Sequence, residues 1–232
     1  KGQVELDAPV TKYLPDFRLA TPGAEKGITV RHLLNHTSGL SDDGMPSTSL
    51  GAGSLSDELA LLRQCTPSST PGRAFAYFNG NYRLLGLIIE RVSGTTYGDC
   101  LTAEIFKPLA MTSSAAGAVV MDRIPAGHGE IFGIPFARRQ VYRPGALPSG
   151  YVASSVADLA RFLVAELRAG NGEADVLSPE TVKATWQPPG GQSEGYAMGW
   201  LVRARPGRPP MLAHGGSLES FQSFLCLDPQ RK

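Results

Sequence analysis

Cysteine is scarce in this chain, charge is close to balanced, and long apolar runs are missing. Cys65, Cys100 and Cys226 are scattered and odd in number, so no disulfide framework is implied. One pair stays open as an alternative, with buried thiols the preferred reading. Twenty-two basic residues against 21 acidic ones leave a net charge of +1. Neither sign is in enough excess to hold a nucleic acid or an anionic membrane. No apolar run approaches the ~20 residues of a membrane-spanning helix. Internal repeats, low-complexity stretches and a clear interdomain linker are also absent. A further absence bears on chemistry. None of the six lysines, Lys1, Lys12, Lys26, Lys107, Lys183 and Lys232, has a serine three positions before it. The Ser-x-x-Lys pairing, in which an amine activates a hydroxyl one helical turn away, therefore does not occur.

What is there suffices for a sizeable core, since 42% of the 232 residues are apolar. Lys1-Gly2 reads as the C-cap of a helix whose body precedes it. Ser223–Pro229 reads as an apolar strand reaching a turn. Residues 4 to 27 look loop-like, punctuated by Pro9, Pro15, Pro22 and Gly23. Thr29 is placed to cap a helix over Val30–His36 that stops at Gly39. Ser56-Asp57-Glu58 predicts a second helix, with acids in its first turn. Apolar residues surround most of the stretch from Tyr82 to Val92, which predicts a buried helix ending at Gly94. Tyr97–Phe106 predicts another, stopped by Pro108. Ser155-x-x-Asp158 resembles a capping box opening a helix to Gly170, and Ser178-Pro179-Glu180 begins a short one. Strand patterning comes late, over Tyr196–Val202, Met211–His214 and Phe221–Leu227. Helices first and antiparallel strands last predict an α/β chain of the α+β type, a helical lobe beside an antiparallel sheet.

Tyr77-Phe78-Asn79 feeds the buried helix. In an extended stretch residues two apart share a side, which sets the Tyr77 phenol beside the Asn79 amide. A phenol shuttles a proton if cations stabilise its phenolate, and an amide orients a carbonyl. The competing reading is a core tyrosine followed by an asparagine helix cap. His214-Gly215-Gly216-Ser217 closes a strand with consecutive glycines, which open its edge to a ligand backbone. The Ser217 N–H then donates to a developing oxyanion while His214 adds a donor or a charge. Here the competing reading is a bulge with an exposed histidine. His32 and His36 stand four residues apart, a spacing that metal sites use. With no glutamate after His32 and no third ligand nearby, imidazoles bonded to backbone are the better reading.

These motifs together are similar to the serine β-lactamase-like family of class C β-lactamases, D-alanyl-D-alanine carboxypeptidases and esterases. The string Ile28–Leu40 carries the resemblance together with Pro71-Gly72 leading to Tyr77-x-Asn79, and with Pro108-Leu109-x-Met111. Pro148-Ser149-Gly150 leading to Ser155-x-x-Asp158, Tyr196-x-Met198-Gly199-Trp200 and His214-x-Gly216 complete it. The resemblance runs the length of the chain. It implies a β-lactamase/transpeptidase-like fold, a single domain over residues 1–232 cut short at both ends, with its sheet incomplete. Residues to about 190 would form the helical lobe and loops, and residues from about 191 the strands.

In that family a Ser-x-x-Lys helix lies shortly before a Gly-x-Val-x-Leu-Asp segment, and this chain opens on Gly2-Gln3-Val4-Glu5-Leu6-Asp7. The resemblance thus implies a nucleophile upstream of Lys1 and an acyl-enzyme formed on an ester or amide. Tyr77 would move protons, Asn79 would hold the acyl side chain, and Gly215, Gly216 and Ser217 would line the substrate and oxyanion edge beside His214. No metal or organic cofactor is required. His214 stands where true class C β-lactamases carry lysine, which leans toward the peptidase or esterase branch. The substrate would be a small molecule or peptide, with no nucleic acid partner, and the location periplasmic, cell-envelope or secreted. The isolated chain, without its nucleophile, is expected to be inactive. The alternative is a non-catalytic, penicillin-binding-like module that only binds a ligand or acts as a scaffold. The Gly117–Gly145 loop, with Arg138, Arg139 and Arg143, reads either as a basic rim for a substrate carboxylate or as a solvated loop.

Overall fold

The computed structural model describes residues 2–44, 53–122 and 124–230. Lys1 and Lys232 lie outside the described residues. The chain divides into two compact units, Lys1–Cys100 with Arg143–Tyr151, and Leu101–Tyr142 with Val152–Lys232.

The first unit is helical. Its leading residues have the proline-broken backbone the sequence suggests, yet Val10, Tyr13, Leu14, Phe17 and Leu19 are all buried in its core. Irregular backbone hides this, because neither a helical nor a strand period marks the inward side chains. Helix α1 (Val30–Leu34) starts with a reciprocal cap. The Thr29 hydroxyl accepts the His32 N–H, and His32 Nδ1 accepts the Thr29 N–H. The helix ends at Leu34, short of the expected His36, whose backbone turns left-handed with φ of 54°. Helix α2 (Leu55–Leu62) begins one residue before the expected Ser56, because Ser54 and Asp57 form a capping box there. Helix α3 (Asn79–Ser93) is buried along most of its length and stops at left-handed Gly94. Glu58 of α2 and Arg83 of α3 form a buried ion pair at 2.7 Å. Helix α4 (Tyr97–Leu101) continues as a π-helical turn, Thr102–Phe106, whose residues belong to the second unit.

In the second unit, short β1 (Ala115–Ala116) is paired with β4 (Val152–Ala153). Between them β2 (Gly127–Ile131) and β3 (Ile134–Arg138) form a hairpin inside the stretch read as loop. Its turn, Phe132-Gly133, has positive φ at both residues, the twist that two-residue hairpins favour. No inward-outward alternation announces it, since every residue of β3 is exposed. Helix α5 (Leu147–Gly150) belongs to the first unit. Helix α6 (Val156–Gly170) opens at Ser155, whose hydroxyl accepts the Asp158 N–H. Asp158 does not complete the expected capping box. Its buried carboxylate instead takes the Ser113 N–H, the Ser114 hydroxyl and Arg161. Helix α7 (Pro179–Thr185) carries proline at its first position, as expected.

The main sheet has the order β5-β6-β7-β8, all antiparallel, from β5 (Gly195–Ala197), β6 (Trp200–Arg205), β7 (Arg208–Ser217) and β8 (Gln222–Leu227). Met198 and Gly199, both at positive φ, fold the expected Tyr196–Val202 strand into a β5–β6 hairpin. Phe162, Leu163 and Leu167 of α6 pack on Trp200, Val202, Leu212 and Leu227. Fully burying each such large side chain contributes roughly 1.5–3 kcal/mol. β8 ends the strand order, and its Phe224 is 71% exposed.

Candidate active site

Tyr77, Phe78 and Asn79 make the entry to α3. Phe78 is extended and wholly buried, and this anchor turns its neighbours outward. Tyr77 is 46% exposed, so it is not a core tyrosine. Asn79 is not the helix cap either. It stands as the first residue of α3, half-buried, and its amide makes no hydrogen bond among the described residues. A half-exposed tyrosine and an uncommitted amide thus stand two residues apart on one turn. Burial pushes the Tyr77 phenol above its ordinary value of 10.0, so unaided it stays protonated at neutral pH.

The other motif extends a strand beyond its neighbour. β6 pairs with β7 only as far as Leu201 opposite Ala213. From His214 onward β7 pairs with β8 alone, through Leu225, Phe224, Ser223 and Gln222. Gly215, Gly216 and Ser217 are exposed. A Cβ on Gly216 would meet the Ser223 hydroxyl at 2.6 Å, whereas one on Gly215 would come no closer than 3.9 Å to anything. The protein's own packing therefore leaves Gly215 room for a side chain. His214 is half-buried, and burial pushes its imidazole below the ordinary 6.5, which makes it neutral at pH 7. Its Nε2 lies 3.3 Å from the buried Tyr196 hydroxyl. Sequence alone does not mark that contact. Its only signal is that Tyr196 precedes the β5–β6 turn, on the strand next to β6.

The other polar groups near the motifs, and the further candidates, have resolved places. Ser38 is buried and donates to Asn81 Oδ1 at 2.7 Å, which leaves it no access to a substrate. His32 Nδ1 belongs to the α1 cap and His36 Nδ1 accepts the Phe78 N–H, so both imidazoles bond backbone. No group of three metal-binding side chains occurs among the described residues. Arg138 pairs with Glu219 at 3.2 Å in the second unit, while Arg143 belongs to the first. A groove of about 620 Å³ along α6, lined by Leu109, Val164, Val176 and Leu177 among others, contains none of the motif residues.

Residues 1–232 match the Beta-lactamase family. The chain belongs to that family. Among curated relatives, Protein flp of Staphylococcus aureus (strain COL) is 28% identical over 237 residues, 100% of this chain and 47% of its own length. Penicillin-binding protein 4* of Bacillus subtilis (strain 168) is 25% identical, across 97% of this chain and 52% of its own. The chain spans about half the length of the curated relatives it matches. Among solved structures, the octameric penicillin-binding protein homologue from Pyrococcus abyssi superposes with a TM-score of 0.79 at 26% identity, covering 99% of this chain and 55% of that one. The mixed helix-and-strand architecture is thus the β-lactamase/transpeptidase fold, represented here with small sheets.

Proposed function

We propose that the chain is part of a serine hydrolase working through an acyl-enzyme, and carries its proton-transfer and oxyanion groups. The observation that carries the reading is the Tyr77–Asn79 turn, with its tyrosine half exposed and its amide uncommitted. Structural duty alone does not call for that combination. Family membership and relatives named as penicillin-binding proteins support the same reading.

A Ser-x-x-Lys nucleophile outside these 232 residues attacks an ester or amide carbonyl. Tyr77 passes the serine proton toward the leaving group, which requires a cation to offset the burial that raises its phenol. Asn79 holds the acyl side chain. The Ser217 N–H donates to the tetrahedral oxyanion along the open Gly215–Gly216 edge, with neutral His214 as a further donor. Water then releases the acid. His214 in place of lysine directs the site toward D-amino acid peptides or esters rather than efficient β-lactam hydrolysis. Residues 1–232 form a single β-lactamase-like domain in this reading, acting at the cell envelope and requiring no cofactor. The 232 residues alone are inactive, since losing the nucleophile of a serine hydrolase costs about 10⁶ in rate.

The test is hydrolysis of acyl-D-alanyl-D-alanine peptides and p-nitrophenyl esters by the complete protein and its Tyr77→Phe variant. A loss of roughly 10²–10⁴ in kcat is expected from removing the proton carrier. An unchanged kcat would remove Tyr77 from the chemistry.

A further inference from the structure

We infer that His36 is a positioning residue that holds Tyr77, gripping the backbone N–H of the residue on either side of it and packing on its ring. The inference rests on the proposed role of Tyr77 as proton carrier. The His36 carbonyl accepts the Ala76 N–H at 2.9 Å, and its Nδ1 accepts the Phe78 N–H at 3.2 Å. The imidazole meets the Tyr77 ring at 4.2 Å between centroids, tilted by 34°. One residue thereby touches the positions before, at and after Tyr77.

The grip depends on an unusual backbone. His36 is a non-glycine residue at φ 54°, a conformation that L side chains rarely adopt and that persists where surroundings fix it. The surroundings do so here. His36 is 1% exposed, and Tyr82 packs against the ring at 5.1 Å with Phe75 at its edge. A relay sets the orientation of the imidazole. The Ser38 hydroxyl donates to Asn81 Oδ1 at 2.7 Å, which turns the Asn81 amide nitrogen toward His36 Nδ1 at 3.1 Å. With the Phe78 N–H and the Asn81 NH₂ both aimed at Nδ1, that nitrogen is bare and the ring proton sits on Nε2. A histidine needed only to fill the core would require neither the tautomer nor the double hold on the residues flanking Tyr77.

The experiment uses the complete protein with 3-fluorotyrosine at position 77 and the His36→Asn substitution. Asparagine tolerates positive φ and keeps the carbonyl hold on Ala76, but it cannot stack. The ¹⁹F resonance of residue 77 is expected to move toward the position of the unfolded protein. On unlabelled protein kcat should fall by about tenfold or more with KM nearly unchanged, and His36→Asn/Tyr77→Phe should be no slower than Tyr77→Phe alone. An unmoved resonance, or losses that multiply in the double variant, would overturn the positioning role. If Tyr77→Phe alone is harmless, the proposed function fails, and the resonance still decides whether His36 holds the ring. Should His36→Asn not fold, imidazole ¹⁵N shifts of the unsubstituted protein serve instead. The Nε2–H tautomer is expected, and an Nδ1–H tautomer overturns the inference.

Discussion

Replacing Glu58 by methionine should cost the first unit more than any loss of a surface charge. Glu58 is 1% exposed at its side chain and accepts from Arg83 Nη1 at 2.7 Å, with the Arg83 side chain only 9% exposed. Arg83 also donates from Nε to Ser149 of α5 at 3.3 Å, so one guanidinium joins α2, α3 and α5. Without the carboxylate the guanidinium stays out of water with a neutral hydroxyl opposite it. Breaking a buried pair from one side costs about 3–5 kcal/mol. An exposed pair such as Lys12–Glu5, at 2.8 Å, contributes little, because water already solvates both partners. Replacing both charges with apolar groups removes the desolvation cost along with the attraction, so Glu58→Met/Arg83→Met should recover most of the loss. The assay is urea unfolding at neutral pH of the parent, both single variants, the double variant and Lys12→Ala. Single losses below about 1 kcal/mol would mean that water reaches the pair. Losses that simply add in the double variant would mean the two side chains do not act as a pair.

Gly215→Ala should leave stability within about 0.5 kcal/mol, because a Cβ there finds no close neighbour. In the complete protein the same change should slow acylation by an active-site ester at least tenfold; equal rates would detach this strand edge from substrate. Gly86→Ala places a Cβ 2.2 Å from Pro148 Cγ and 2.8 Å from its Cβ. Overpacking of this kind costs about 1–3 kcal/mol, readable as a lower urea midpoint, and an unchanged midpoint would contradict the packing of α3 on α5. Burial lowers the imidazole pKa of both His32 and His214 below 6.5. The unfolded chain therefore takes up protons first as pH falls. Stability should be level above about pH 7 and decline below about 6.5, by melting temperature across that range, and His214→Gln should flatten part of the decline. A melting temperature that rises on acidification through that window would contradict the burial.

Much of this was legible because side chains announce local structure wherever it is regular. Apolar spacing gave α3, and the Ser155 and Ser178 caps gave the starts of α6 and α7. The register of motifs pointed to the family. The misses have physical causes. Ser54 took the α2 cap because Asp57 lies three residues on, at the reciprocal position. The β2–β3 hairpin shows no alternation, since neither face of β3 is buried and only the Phe132-Gly133 turn distinguishes it. The leading core residues sit on turns without a period. At the candidate site, Tyr77 and Asn79 were nameable from sequence, but the exposure of Tyr77 and the uncommitted Asn79 amide were not. His36 stood out in the sequence only by its spacing from His32. Its hold on Tyr77 comes from a left-handed backbone that no local pattern signals.

The most direct test of the account is to map the acyl adduct. The complete protein would be treated with a fluorescent penicillin, digested, and its labelled peptide identified by mass spectrometry, with the 232-residue chain alone treated in parallel. The account predicts one adduct, on the serine of a Ser-x-x-Lys pair outside these 232 residues, and no label on the shorter chain. A label on Ser217 or any other serine within residues 1–232, or no covalent adduct in the complete protein, would contradict it.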